Sequence, residues 1–155
     1  MAESEEIPAF VVSLQKSTIL LPNSSVAEII PYEPLQRVEE SPDWFLGLLG
    51  WRGVQVPVVS FEMLTLRGAS FSLVSVSSAS LVVVRGVTAS EEMPYFALVS
   101  QTLPRLVRVR EDMLFESAEE AQETEVIKAR LADEVVSLPN VDYIETAIRG
   151  VGYAG

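Results

Sequence analysis

The sequence predicts an all-β fold, a barrel or a sandwich of short strands. Three observations carry that expectation. Short apolar runs rich in Val, Ile, Leu and Phe recur along most of the chain; Gly, Pro, Ser and Asn fall between them; and one segment alone has clear caps at both ends of a helix.

The elements follow in chain order. Residues 10–14 and 18–21 are apolar and β-branched and flank the polar Gln15-Lys16-Ser17, which reads as a hairpin. Residues 26–30 fit either a strand or a helical turn, since periodicity does not decide over so few positions. Residues 35–43 follow Pro34, contain Pro42 and carry several charges, so they read as a connecting loop. The most distinctive stretch is 43–62. An apolar run breaks at Gly47 and Gly50, turns through Arg52-Gly53 and re-enters a strand split by Pro57. Pro57 lacks a ladder donor, so a strand over 54–60 is expected at a sheet edge or with a bulge, where a partner can dock. Further strands are expected at 72–76, 81–85, 95–99 and 106–110, with strand character through the Ser-rich run 70–80 and a loop over 86–94. Residues 117–134 are rich in Ala, Glu and Gln and could form an amphipathic helix. Residues 140–148 read as a terminal helix: Asn140 caps it, Asp142 lies in the first turn, Gly150 closes it, and Val141, Ile144 and Ile148 share one face.

At 155 residues, 48% of them apolar, the chain suits one domain with a buried core. The domain is expected over 8–150, with flexible ends at 1–7 and 151–155. No apolar stretch is long enough to span a bilayer as a helix, and the acidic start Met1-Ala2-Glu3-Ser4-Glu5-Glu6 is unlike a basic secretory leader. A cytoplasmic protein is therefore expected, with no direct membrane insertion. Lys and Arg total 11 against 22 Asp and Glu, a formal charge of −11, which disfavours nucleic acid and acidic lipid as partners. Seven acidic residues and no basic one lie between Glu111 and Glu125, just after Arg105, Arg108 and Arg110. The pair of segments is either a solvated loop beside a strand with polar tips or a positive patch that meets an acidic partner.

The sequence lacks the groups most enzymes use. It has no His and no Cys, so the commonest general base, zinc ligands and thiolate nucleophile are missing, as are phosphate-binding and dinucleotide-binding glycine patterns and a nucleophile elbow. Carboxylate pairs are expected mainly in loops, as solvated charges. No catalytic residue, cofactor or metal site is expected, and any signalling role acts by contact.

The 43–62 stretch resembles the signature of the CheW-like domain of chemosensory adaptors: an apolar segment ending in Gly, then Arg-Gly, then Val-Pro-Val. Gly47, Arg52, Gly53, Val56, Pro57 and Val58 fall in step with it, and Val26-Ala27-Glu28-Ile29-Ile30 is similar to the family's Val-x-Glu-Val/Ile-Ile element. Weaker likeness continues over 95–109 and 135–148. The resemblance implies two interlocked SH3-like five-stranded barrels, and strands in place of a helix from about residue 124. It also implies a free-standing adaptor that joins the regulatory domain of a chemosensory histidine kinase to the cytoplasmic tip of a chemoreceptor, through barrel edges and the groove between barrels. The wording around Leu48-Leu49-Gly50-Trp51 and Ser60-Phe61-Glu62 looks more like adaptors of type IV pilus clusters than of flagellar chemotaxis. Two departures stand out: Val99-Ser100 where many members carry Val-Asp, and Leu138-Pro139 where they carry Leu-Asp or Leu-Asn.

Partner-binding residues are accordingly expected at Val26, Glu28, Arg52, Gly53 and Pro57. Arg52 either braces its own loop or faces a partner, since a planar guanidinium can clamp an acceptor at two points. Glu28 needs a donor if buried, and a Glu28–Arg52 pair is one way to supply it. Gly53 and Pro57 set shape. Trp44 and Trp51 read as core or edge anchors, or as interface hot spots if exposed. The rival reading is a β-barrel module for a small molecule or carbohydrate; a carboxylate-dependent hydrolase comes third.

Overall fold

The expected first hairpin is present and opens the chain: β1 (Glu6–Ser13) pairs with β2 (Thr18–Pro22), and Leu14 donates its N–H to the Ser17 carbonyl across the turn. The computed structural model describes residues 6–66, 70–73, 75–86, 94–110, 114–116, 124–131 and 134–151. A 3-10 turn (Asn23–Ser25) leads to β3 (Val26–Pro31), so the ambiguous segment is a strand. Then come β4 (Phe45–Trp51), β5 (Val54–Val59), the short α1 (Phe61–Thr65), β6 (Ser80–Arg85) and β7 (Tyr95–Ser100). The chain closes with β8 (Arg105–Arg110), β9 (Leu114–Glu116), β10 (Glu125–Leu131), β11 (Glu134–Pro139) and α2 (Val141–Arg149).

The strands form two sheets, in the orders β8-β1-β2-β11-β10-β9 and β3-β6-β7-β5-β4. The chain starts in the first sheet, builds the whole of the second, and returns to finish the first. That route interlocks the two units. The first sheet has a sixth, three-residue strand, β9, beyond the expected five.

Alternation along the strands divides the core into three clusters. On β6, Val82 and Val84 face the space between the sheets, while Leu81 and Val83 face the interior of the second unit; Phe96 and Leu98 alternate with Ala97 and Val99 on β7 in the same way. Both strands are buried on both faces, which explains their unbroken apolar runs. Ala9, Val11, Leu20 and Val136 fill the first unit.

The helix expected near the C-terminus is present as α2. Ile144 and Ile148 are fully buried in the cluster between the sheets, with Val141 packed beside them. The Asn140 Oδ1 accepts the Tyr143 N–H at 3.2 Å, Asp142 sits in the first turn and Arg149 in the last. Asn140→Ala should cost about 1 kcal/mol, read as a lower urea midpoint at unchanged slope. An unchanged midpoint would show that the cap contributes nothing here. Gly150 has a right-handed φ of −68°, so its use of that position does not depend on glycine's conformational freedom.

Four expectations need correction. Strand β5 lies inside its sheet, between β4 and β7, so Pro57 is neither at an edge nor in a bulged strand. The proline is accommodated because the parallel ladder to β7 covers only Val58 and Val59, beginning one residue after it. The bulge lies on the facing β4, between Phe45 and Gly47. Second, the described part of 70–79 is coil with a turn at 76–78, and strand begins only at Ser80. There the Ser side chains bond locally, as in Ser75 Oγ to Ser77 Oγ at 2.9 Å, offering the chain an alternative to a ladder. Third, α1 was not expected: Ser60 caps it by accepting the Met63 N–H at 3.2 Å. Fourth, β1 starts two residues before the expected domain boundary, because Glu6 and Ile7 pair with Arg110 and Val109. Strand β10 agrees with the expectation of strand from about 124; residues 117–123, most of the loop 86–94, much of the acidic run 111–125, and residues 1–5 and 152–155 lie outside the described residues.

Candidate functional site

The Arg52-Gly53 pair is the two-residue turn between β4 and β5, closed by the Trp51–Val54 pair. Both turn residues have positive φ, +50° for Arg52 and +79° for Gly53, as the hairpin turn compatible with strand twist demands. Gly53 meets this condition without strain, and a Cβ there would have nothing within 4 Å. Gly53→Ala should therefore cost only the left-handed backbone penalty, about 1 kcal/mol, with the fold retained. Thermal unfolding checks it, and loss of the folded state would refute an open turn. Arg52 carries the same backbone penalty without glycine's exemption, so its side chain must offset it.

That side chain folds back. The guanidinium carbon lies 5.1 Å from the Trp51 ring centroid, Nε donates to the Glu28 Oε1 at 3.2 Å, and Nη2 forms an ion pair with the same oxygen at 3.0 Å. The Trp51 indole N–H donates to the same oxygen at 2.9 Å, and Tyr95 packs edge-on against the indole at 4.9 Å. The pairing anticipated between Glu28 and Arg52 is thus present, with Trp51 as an unanticipated third member.

Two bulges bring these residues together. On β3, Val26 pairs with Val84 and Glu28 with Val83, leaving Ala27 as the extra residue. The irregularity sets Ala27 and Glu28 on the Val83 side in succession, so Glu28 faces the unit that contains Trp51. The bulge on β4 bends the opposite edge. Strands β3 and β4 are the two edges of one five-stranded sheet, and Glu28 with Trp51 and Arg52 joins them through side chains. The sheet closes there by a clasp rather than by a main-chain ladder.

Burial separates the roles within the clasp. The Trp51 side is buried; the Glu28 side chain is 36% exposed and that of Arg52 69%. A charged acceptor for a buried indole N–H is worth about 1.5–3 kcal/mol, whereas an ion pair this exposed is worth about 1 kcal/mol or less. Among the described residues, no partner bonds Arg52 Nη1 or Glu28 Oε2. The guanidinium is held in place and still presents donors outward.

The other expected partner-binding residues are placed differently. Val26 is buried in the cluster between the sheets, and its carbonyl accepts from Arg85 Nη1 at 2.9 Å. Pro57 is buried opposite Leu48. Neither has surface to present, and the structure does not bring them into the clasp. Trp44 packs against the cluster between the sheets, as a core anchor. In the arginine-rich strand, Arg105 Nη2 lies 3.6 Å from Glu134 Oε2, so part of that charge is met within the chain. At the two departures from the family pattern, the Ser100 hydroxyl is buried and donates to the Thr102 carbonyl at 2.6 Å, and Pro139 is buried ahead of the α2 cap. Both positions are structural here.

Sequence reading also missed the buried carboxylates. Glu62, Glu125 and Glu145 lie in α1, β10 and α2, not in loops. Glu125 accepts a short hydrogen bond from the Ser137 hydroxyl, and Lys128 Nζ is 3.9 Å away. Among the described residues, no group of three or more acidic, His or Cys side chains is arranged to hold a metal ion, and no helix is long and apolar enough to cross a membrane.

Comparison with known proteins settles the family. The model of the CheW-like domain matches residues 8–147. The chain belongs to the CheW-like domain family. Its structure is similar to the crystal structure of the scaffolding protein TtCheW from Thermoanaerobacter tengcongensis, with a TM-score of 0.74 at 12% identity, over 92% of this chain and 89% of that one. No curated protein matches the sequence significantly. The two sheets are thus the two SH3-like β units of this CheW-like fold, and the Arg52-Gly53 turn with its Glu28 clasp lies on the second.

Proposed function

We propose that this CheW-like chain is a chemosensory scaffold that couples a chemoreceptor to a histidine kinase by contact. The observation that carries the proposal is the clasp inside the family's own domain. A positively charged, planar side chain is held at strained backbone geometry on an exposed turn, with donors left over. Strain kept at an exposed position points to use rather than to stability. Arg52 and Gly53 form the presented tip and Glu28 orients it, while Val26 and Pro57 act from below by shaping the strands that carry it. The partners are the regulatory domain of the kinase and the cytoplasmic tip of the receptor, met at barrel edges and in the groove between barrels. The working compartment is the cytoplasm. The role is non-enzymatic: signal passes by changes in contact, and the chain should accept no phosphate from an active kinase.

The wording of the β4–β5 hairpin supports assignment to a type IV pilus cluster controlling twitching motility. Titration calorimetry of the chain against the kinase regulatory domain and the receptor tip tests the proposal. Saturable one-to-one binding to each is expected. Binding to neither partner, from pilus or flagellar clusters, would sink it, and a heat of binding to a sugar or metabolite alone would favour the rival barrel module.

A further inference from the structure

The seam between the two barrels has a polar side built around a buried acid that the proposed contacts do not use. Glu62 belongs to α1, which directly follows β5, an inner strand of the second sheet, so its position is fixed by that sheet. Its carboxylate crosses to the β1–β2 turn of the first barrel. Oε1 accepts the Gln15 N–H at 2.7 Å, and Oε2 accepts the Lys16 N–H at 2.8 Å and the Ser17 hydroxyl at 3.1 Å. Glu62 is 9% exposed, so these charge-assisted bonds form largely out of water.

Neighbouring bonds extend the same line. The Gln15 side chain pairs with Ser72, accepting its N–H at 3.0 Å and donating to its hydroxyl at 3.2 Å. Gln101 donates from its side chain to the Ser72 carbonyl at 2.9 Å and from its main chain to the Ser13 carbonyl at 2.8 Å. Most of the remaining seam is the apolar cluster around Val12, Phe96 and Ile148, with two further polar links, a Thr65–Thr124 hydroxyl pair at 2.6 Å and the Ser100 hydroxyl donating to the Ser13 carbonyl at 3.4 Å. Apolar contact is non-directional: it holds two barrels together without choosing their relative rotation. Hydrogen bonds have direction, and the Glu62 carboxylate binds two successive main-chain amides of the other barrel.

We propose that Glu62 is a positioning residue for partner binding: by gripping the β1–β2 turn, it sets the orientation of one barrel on the other and hence the shape of the groove between them. The inference rests on the scaffold reading above, and its test separates the two. The chain has no cysteine, so Gln55→Cys on β5 and Arg108→Cys on β8, both exposed, supply unique spin-label sites in the two barrels. The otherwise native chain should show one narrow inter-label distance. Glu62→Gln should broaden or shift it, and should speed amide exchange at Gln15 and Lys16 about tenfold or more, the factor for one lost charged hydrogen bond. Exchange in β6 and β7 should stay slow, showing an intact fold. Affinity for the kinase regulatory domain and receptor tip should fall about tenfold in parallel.

Glu62→Asp keeps the charge but stops one methylene short of the turn, so it should give the same broadening and serves if Glu62→Gln does not fold. Ser17→Ala removes only the hydroxyl donor and should leave distance and affinity unchanged. An unchanged distance in both Glu62 variants overturns the proposal. Lost affinity at unchanged distance would make Glu62 a contact residue, and a broadened distance with full affinity would disconnect barrel orientation from binding; either result also overturns it. If the native chain binds neither partner, the scaffold reading fails on its own, and the proposed control of partner binding falls with it. The distance and exchange readings then still decide whether Glu62 sets the orientation.

Discussion

Gly47→Ala should destabilise the protein by about 3 kcal/mol or more, the largest effect expected of a single added methyl group here. Two costs combine. Gly47 has φ of +150°, a region that residues with a Cβ rarely adopt, and such strain costs on the order of 1–3 kcal/mol. A Cβ there would also lie 2.7 Å from the Gln36 carbonyl oxygen and 2.9 Å from the Leu35 Cβ. The first of these atoms is main chain and cannot swing aside. It is held by a reciprocal pair of bonds, Gln36 N–H to the Leu48 carbonyl at 2.9 Å and Leu48 N–H to the Gln36 carbonyl at 2.8 Å. That pair covers part of the outer edge of β4, which would otherwise be open to other chains. An alanine must therefore strain its own backbone and push the covering segment away. Urea unfolding measures the loss, and hydrogen exchange at Gln36 and Leu48 should rise with it. A midpoint within error of the native chain would show that the 35–36 segment yields freely, and the account of Gly47 would fail.

How much of this was legible in the sequence depended on how regular each element is. The β1–β2 hairpin, β6, β7 and α2 were readable because unbroken apolar runs bounded by polar turns, or clear caps, mark them. Residues 26–30 resisted reading for a reason the structure supplies. The bulge places Ala27 and Glu28 on one side in succession, so the period of two is broken where Glu28 sits. Pro57 misled for a related reason. A proline argues for an edge only if the missing donor was needed, and here the ladder to β7 begins after it. The Ser-rich run alternated like a strand, yet hydroxyls that bond their own neighbours remove the need for a partner strand. The Glu28–Arg52 pair was within reach because an acid among apolar residues needs a donor. The third member, Trp51, was not, because indole orientation depends on how far the two sheet edges curl towards each other. Glu62 gave no signal for the same reason, since its partners lie 45–47 residues away in the other barrel.

The clasp makes a sharper test of function than a simple truncation at Arg52. Arg52→Gly removes the guanidinium and also relieves the positive-φ penalty, leaving a Gly-Gly turn suited to this hairpin. The exposed ion pair contributes about 1 kcal/mol or less and the backbone gains about as much, so thermal stability should change little. Trp51 keeps its acceptor on Glu28, so the edges of the sheet stay joined. Affinity for the kinase regulatory domain or the receptor tip should nevertheless fall by about 2–5 kcal/mol if the guanidinium becomes buried against a partner acceptor, and chiefly through faster dissociation. Arg52→Lys should restore little, since an ammonium cannot reproduce the fork that meets Glu28 through Nε and Nη2. Glu28→Ala has the opposite signature: it strands a buried indole donor, so stability should drop by about 1–3 kcal/mol before any partner is added. Titration calorimetry and thermal unfolding of the three variants separate these outcomes. Unchanged affinity of Arg52→Gly for both partners would remove the guanidinium from the interface and leave it as the brace of its own turn. A large stability loss in Arg52→Gly would show that the clasp depends on the arginine and not on the indole.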